Sequence, residues 1–180
     1  MKNRNQMKTL EEILANIKLL VLDVDGVLTD GRLCFDENHE AHKCFHAQDG
    51  LGIKLLLRNG IQVAVISGRK SPIVENRLKQ LGITHYYLGY EDKRPAWQDL
   101  IQKTNIPEQD IAYMGDDLPD IPLIQAAGLG VTVANAADHV SAYCQLQTKR
   151  SGGYGAVREL CDRLLLCQEI WPSIIEDITT

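Results

Sequence analysis

At 180 residues, with 44% hydrophobic residues and 19 Lys and Arg against 24 Asp and Glu for a net charge of −5, the chain has the length and apolar content of one folded unit and excludes a disordered or collagen-like polymer. The acidic total, with no clustered basic stripe, excludes a general nucleic-acid binder, because affinity for a phosphate backbone needs grouped cations. No apolar run approaches the roughly 18 residues that would span a bilayer, so neither a membrane segment nor a secretory signal is expected.

Thr9 with Glu12 forms a capping box, and Leu10, Ile13, Leu14 and Ile17 recur at helical spacing, so a short helix opens the chain. Residues 17–22 are almost continuously apolar, as in a strand covered on both faces, and this strand should lie centrally. Arg32 to Phe35 and Ala41 to His46, separated by a polar stretch, read as an antiparallel hairpin inserted at about 31–47, too small to be an independent cap domain. Apolar runs at 61–66, 86–88, 111–114 and 131–133 then alternate with helical stretches. The punctuation is Gly60 after residues 51–59, Ser71-Pro72 opening and Gly82 closing the next helix, and Gly128 after residues 121–127. Val157, Leu160, Cys161, Leu164 and Leu165 give a last helix one apolar stripe. Alternation of this kind predicts a three-layer α/β fold: a Rossmann-like parallel sheet with helices on both faces, the hairpin as its only insertion, and residues 1–180 as a single domain. The five cysteines (Cys34, Cys44, Cys144, Cys161, Cys167) are odd in number, contain no CxxC pair and read as reduced, structural thiols of a cytoplasmic protein. Cys34 and Cys44, on opposite arms of the hairpin, are placed to pack or pair.

Four segments sit behind predicted strands, where the ligand crevice of an open parallel sheet lies. Asp23-Val24-Asp25-Gly26 puts two carboxylates two residues apart on extended chain, able to point the same way. They repel unless a cation is near, and otherwise one of them should hold a proton. Ser67-Gly68-Arg69 offers a hydroxyl and backbone N–H groups to an oxyanion, or merely caps a turn. Lys93 stands beside a helix start, where a lysine is ordinarily solvated. Gly115-Asp116-Asp117-Leu118-Pro119-Asp120 is a run of acids that suits a helix N-terminus, but one whose strand end shares the crevice with Asp23. Oxygen-only donors with room for water favour magnesium.

In this order the four segments resemble the haloacid dehalogenase superfamily of aspartyl-nucleophile phosphatases. The resemblance implies Asp23 as nucleophile and Asp25 as general acid and base. It implies Ser67 and Lys93 as holders of the phosphoryl group, and Mg2+ held by Asp23, Asp116 and the backbone carbonyl of Asp25. Asp117 and Asp120 would support that site, Asp120 from behind the ligands. The short chain, the hairpin and the closing segment from Thr148 to Glu159 further resemble a capless branch of that superfamily acting on a phosphorylated eight-carbon sugar acid. That likeness implies a homotetramer in which a neighbour completes each site, and a role in lipopolysaccharide precursor synthesis. Such a substrate carries both a phosphate and a carboxylate, so cations beyond Lys93 are needed, and Arg69, Lys70, Lys149 and Arg150 are candidates along with the Gly68 backbone. Gly152 to Gly155 either let the backbone approach a ligand or form a flexible loop. Thr29 and Asp30 touch the sugar or shape a turn. Removal of the chain beyond Arg150 is expected to alter sugar specificity more than phosphoryl chemistry. Arg158 is placed on a helix surface, Trp97 and Trp171 in packing roles, and His39, Glu40 and His42 among exposed polar residues rather than metal ligands.

Other readings remain. The same motifs fit another phosphorylated sugar acid or small phosphomonoester. A non-catalytic oligomerisation module, of the kind fused to nucleotidyl-sugar synthetases, could lose Asp25 or Lys93, and this chain keeps both. A phosphotransfer receiver domain normally lacks the second acid of Asp23-Val24-Asp25.

Overall fold

The computed structural model describes residues 8–37 and 40–180, without the side chains of residues 40 and 41. In chain order the elements are α1 (Leu10–Leu14), β1 (Leu19–Leu22), β2 (Cys34–Phe35), β3 (Glu40–His42), α2 (Ala47–Arg58), β4 (Gln62–Ser67), α3 (Pro72–Leu81) and β5 (His85–Leu88). They continue with α4 (Arg94–Thr104), β6 (Ile111–Gly115), α5 (Ile121–Ala126), β7 (Leu129–Thr132), β8 (Leu146–Gln147), α6 (Ala156–Cys167) and α7 (Trp171–Thr179).

β1 is the centre of a parallel six-stranded sheet ordered β5-β4-β1-β6-β7-β8. All four of its side chains are buried, and they divide by the two-residue period of a strand. Leu20 and Leu22 enter the core beneath α2, α3 and α6, whereas Leu19 and Val21 enter the core beneath α4 and α5. A strand with apolar partners on both faces can be apolar at every position, which is why its sequence shows a run and not an alternation. The chain leaves β1 toward β4 on one side and later returns to β6 on the other. The crevice at this change of direction, over the carboxyl ends of β1, β4 and β6, is where such sheets bind ligands.

The hairpin β2–β3 forms, with Cys34 opposite His42 in its ladder, so Cys34 does not face Cys44, and all five cysteines are free thiols. His42 is exposed; His39 and the Glu40 side chain lie outside the described residues. Two elements escape the sequence reading: β8, only two residues long, and α7. The strand expected at 131–133 begins two residues earlier, at Leu129. Trp97 is buried against the Tyr113 ring and donates its indole N–H to Glu108, and Trp171 packs against the core.

The closing segment departs from the sequence expectation. Val157, Leu160, Cys161, Leu164 and Leu165 are fully buried, and α6 lies along α2 so closely that a Cβ on Gly52 would meet Arg158 Cδ and Cys161 Cβ at 3.0 Å. Arg158 is therefore wedged between helices, half-buried and paired with Asp162 at 2.6 Å, instead of lying on a free surface. Losing this helix would strip one face of the core, so its removal is expected to cost the fold as well as any sugar contact. Among the described residues no helix is long and apolar enough to cross a membrane.

Candidate active site

The β1 ladder runs one residue past the strand, with Asp23 N donating to Met114 O at 3.0 Å, which fixes the Asp23 backbone at the carboxyl edge of the sheet. The chain then coils tightly: the N–H groups of Val27, Leu28 and Thr29 all donate to Val24 O at 2.9–3.3 Å. Gly26 has φ +93°, and a Cβ there would lie 2.0 Å from Asp116 Oδ2, so both the conformation and the neighbouring carboxylate require glycine. Ser67 is the last residue of β4, and its buried hydroxyl accepts from Arg69 N at 3.4 Å. Lys93 precedes α4 and folds inward. Its side chain is 4% exposed, and the ammonium lies 2.9 Å from Asp23 Oδ1 and 2.6 Å from Asp120 Oδ1. The lysine is buried, not solvated, because it has two carboxylates to meet.

Asp120 is saturated. Oδ1 accepts from Lys93 Nζ and from Tyr113 OH at 2.6 Å, while Oδ2 accepts from the N–H groups of Asp116 and Asp117 at 3.0 and 3.1 Å. It thus ties the loop after β6 to the lysine and has little capacity left for a ligand. Asp116 contrasts with it: its Oδ1 is buried and has no partner. Oxygens of Asp23, Asp116 and Asp120 lie within 4.8 Å of one another. Burial, then the charge of Asp120, pushes Asp23 up to about 7 despite the opposing pull of Lys93. Burial, then Asp23 and Asp120, pushes Asp116 up to about 8. Burial opposes charge on Lys93 as well, but Asp23 and Asp120 outweigh it and raise the ammonium above its ordinary value. A buried acidic group this crowded lacks positive charge. Its hard oxygen donors and the orphaned Asp116 oxygen fit a small divalent cation such as Mg2+, with Asp23 and Asp116 as the available carboxylates.

Asp25 is held differently. Its Oδ1 accepts from Lys43 Nζ at 2.5 Å, and its Oδ2 faces Arg69 Nε at 3.7 Å. Lys43 comes from the segment just past β3, and sequence reasoning missed it. A single lysine in a polar hairpin carries no local signal, and only the fold of the hairpin over the crevice brings it to Asp25. Tyr113 was missed for a similar reason, since it reads as one more core residue of β6.

The cleft encloses about 660 Å3 and is lined by Asp23, Asp25, Ser67, Gly68, Arg69, Lys93, Asp116, Asp117 and Asp120, with Gly31, Leu33, Glu91 and Pro119 at its rim. Three expected substrate contacts lie elsewhere. Thr29 is buried, its hydroxyl donating to Val24 O and accepting from Gly26 N and Gly31 N, so it shapes the loop. Lys70 is exposed outside the lining, and Arg150, also exposed, approaches Gln48 at 3.3 Å. The glycines at 152 and 153 pack closely against the loop after β1: a Cβ on Gly152 would sit 1.6 Å from Gly26 O, and Gly153 N donates to Val27 O.

A parallel sheet with acids behind β1 and β6, a hydroxyl ending β4 and a lysine entering α4 defines a haloacid dehalogenase-like hydrolase, and residues 89–159 match the model of that family. The relatives narrow the class. The chain is 48% identical over 153 residues to the 3-deoxy-D-manno-octulosonate 8-phosphate phosphatase KdsC of Escherichia coli K12, covering 85% of this chain and 81% of that one. It belongs to the family of those phosphatases. Among solved structures, the enzyme of that name from Moraxella catarrhalis, in complex with a magnesium ion, a phosphate ion and KDO, superposes with a TM-score of 0.90 at 39% identity, over 93% of this chain and 97% of that one. The cobalt-bound Haemophilus influenzae phosphatase gives 0.85 at 45% identity, over 87% and 92%.

Proposed function

We propose that this chain is a Mg2+-dependent phosphomonoesterase that hydrolyses 3-deoxy-D-manno-octulosonate 8-phosphate to the free sugar acid and phosphate, a step of lipopolysaccharide precursor synthesis. The observation that carries this reading is the convergence of Asp23, Asp116 and Lys93 at the carboxyl end of β1, in a chain nearly half identical to enzymes of that activity.

In this reading Asp23 attacks phosphorus in line with the leaving sugar oxygen, and a phospho-aspartate forms as the P–O ester bond breaks. Lys93 and the Ser67 hydroxyl hold phosphoryl oxygens, with the Gly68 N–H beside them. Asp25 gives a proton to the leaving oxygen, then takes one from the water that cleaves the phospho-aspartate. Asp23, Asp116 and the backbone carbonyl of Asp25 would hold Mg2+, which when bound supplies positive charge against the phosphoryl oxygens and the attacking carboxylate. Asp120 and Asp117 orient this set, Asp120 by fixing both Lys93 and the Asp116 backbone. Arg69, which lines the cleft, would meet the sugar carboxylate.

The chain works as one capless catalytic unit, and its active form is a homotetramer in which a neighbouring copy closes the cleft. The exposed apolar side chains Leu33 and Leu118 beside the open mouth support a protein lid there. The free thiols suit a reducing cytoplasm. Purified protein assayed against a panel of sugar phosphates, with and without Mg2+, tests the function. The octulosonate 8-phosphate should be preferred by about tenfold or more, with activity lost on chelation; equal rates across the panel, or no Mg2+ requirement, would refute it. Light scattering on a sizing column should give four chains per particle.

A further inference from the structure

The hairpin interrupts the sheet's alternation, and its strands have two and three residues. It nevertheless brings a cation to Asp25, a residue of the catalytic cleft, from behind the cleft lining. The Lys43 side chain is 1% exposed, and a lysine is buried this completely only when paired. Its ammonium meets Asp25 Oδ1 at 2.5 Å, whereas Arg69 Nε, the cation facing Oδ2, is at 3.7 Å, beyond a direct hydrogen bond. The two oxygens of one carboxylate are therefore unequal: one is clamped by a buried ammonium and the other faces a half-exposed guanidinium.

We propose that Lys43 is a positioning residue that holds Asp25 Oδ1 and so makes Oδ2 the atom that exchanges protons. This rests on the reading of Asp25 as general acid and base. A proton leaves Oδ2 for the bridging oxygen as the bond from phosphorus to that oxygen breaks and the Asp23–phosphorus bond forms. In the second half, water gives a proton to Oδ2 as its oxygen bonds phosphorus and the Asp23–phosphorus bond breaks. Lys43 keeps its own protons throughout and touches no substrate atom. The pairing also places the hairpin's function in catalysis, where its short strands alone would suggest a mere embellishment.

The test compares wild type, Lys43→Met, Lys43→Arg, Asp25→Asn and the Asp25→Asn/Lys43→Met double variant. It measures kcat and KM on the sugar phosphate, and single-turnover phosphoenzyme formation from that substrate and from 4-nitrophenyl phosphate, whose leaving group departs without a proton. Lys43→Met should lower kcat about 10- to 100-fold with KM changed less than about threefold, and should slow phosphoenzyme formation from the sugar phosphate far more than from the aryl ester. Lys43→Arg should recover most of the loss, and Lys43→Met should cost nothing further in the Asp25→Asn background. Equal losses on the two substrates, or losses that multiply in the double variant, would overturn the proposal. Should Lys43→Met fail to fold, Lys43→Gln and Lys43→Arg are compared on the same two substrates: a loss concentrated on the sugar phosphate supports the proposal, and equal losses overturn it. A wild-type protein inactive on the sugar phosphate would instead defeat the functional reading itself.

Discussion

A Cβ on Gly152 would lie 1.6 Å from the carbonyl oxygen of Gly26, three residues past Asp23 in the loop that bears it. The closing segment is thus backbone-packed against the catalytic loop, with Gly152 N held by Asn135 Oδ1 at 2.8 Å and Gly153 N by Val27 O at 3.0 Å. Gly152→Ala should force these two loops apart, cost about 1–3 kcal/mol as overpacking does, and lower kcat through the displaced Asp23. Denaturant titration and steady-state kinetics on one preparation check this; an alanine variant with unchanged stability and rate would contradict it.

The same dependence applies on a larger scale to α6. Each of Leu160, Leu164 and Leu165 is fully buried, and at about 1.5–3 kcal/mol per large apolar side chain their joint loss approaches the ~5–15 kcal/mol that holds a domain together. A chain ending at Arg150 should therefore show no cooperative thermal transition and no activity on any phosphate ester, aryl esters included. Retained hydrolysis of a generic aryl phosphate would contradict this.

Asp120 joins Lys93, Tyr113 and the Asp116–Asp117 backbone, so its removal leaves a buried ammonium half-paired. Asp120→Ala should destabilise the protein by about 3–5 kcal/mol, as when one partner of a buried ion pair is deleted. Tyr113→Phe, which removes one donor and leaves the ion pair, should cost only about 1–2 kcal/mol. Thermal melts of the two variants side by side make the comparison, and equal losses would show that the lysine is not the group Asp120 serves.

Burial and mutual repulsion push Asp23 up to about 7 and Asp116 up to about 8 where no cation offsets them, above the 3.8 expected when unfolded. Because both folded values are raised, these groups contribute stability that is fully present below about pH 4 and is lost as pH climbs through 7–8. A bound cation removes that loss, since it favours both carboxylates in their charged form. The rise in melting temperature on adding Mg2+ should therefore be larger at pH 8 than at pH 6, and binding at pH 7 should release protons, seen by calorimetry in buffers of different ionisation enthalpy. A metal-induced shift independent of pH would contradict the crowding of these carboxylates.

The sequence made the sheet legible because β1, β4 and β6 are buried on both faces and so appear as unbroken apolar runs, and the acids and Ser67 were legible because they stand at the ends of such runs; Lys93, five residues past the half-buried β5, was legible only through its place in the order of motifs. What stayed hidden depends on distant partners. Lys43 acquires meaning only when the hairpin folds over Asp25. Gly152 reads as a flexible joint until Gly26 is seen against it. Thr29 looked available for a sugar because sequence shows a hydroxyl group but not the Val24 carbonyl it meets, and sequence does not show that Arg150 approaches Gln48. β8 is too short to show a period at all.

Asp23 as the phosphoryl acceptor is the assignment on which every other role in the cleft depends. Rapid acid quench of the Mg2+-loaded enzyme during turnover of the octulosonate 8-phosphate, followed by proteolysis and mass spectrometry, should find one phosphoryl group on the peptide spanning residues 19–32, fragmenting to Asp23. Asp23→Asn should fold normally, give no such peptide and show no turnover. A phosphoryl group on another residue, or an Asp23→Asn variant that hydrolyses at the wild-type rate, would contradict the assignment.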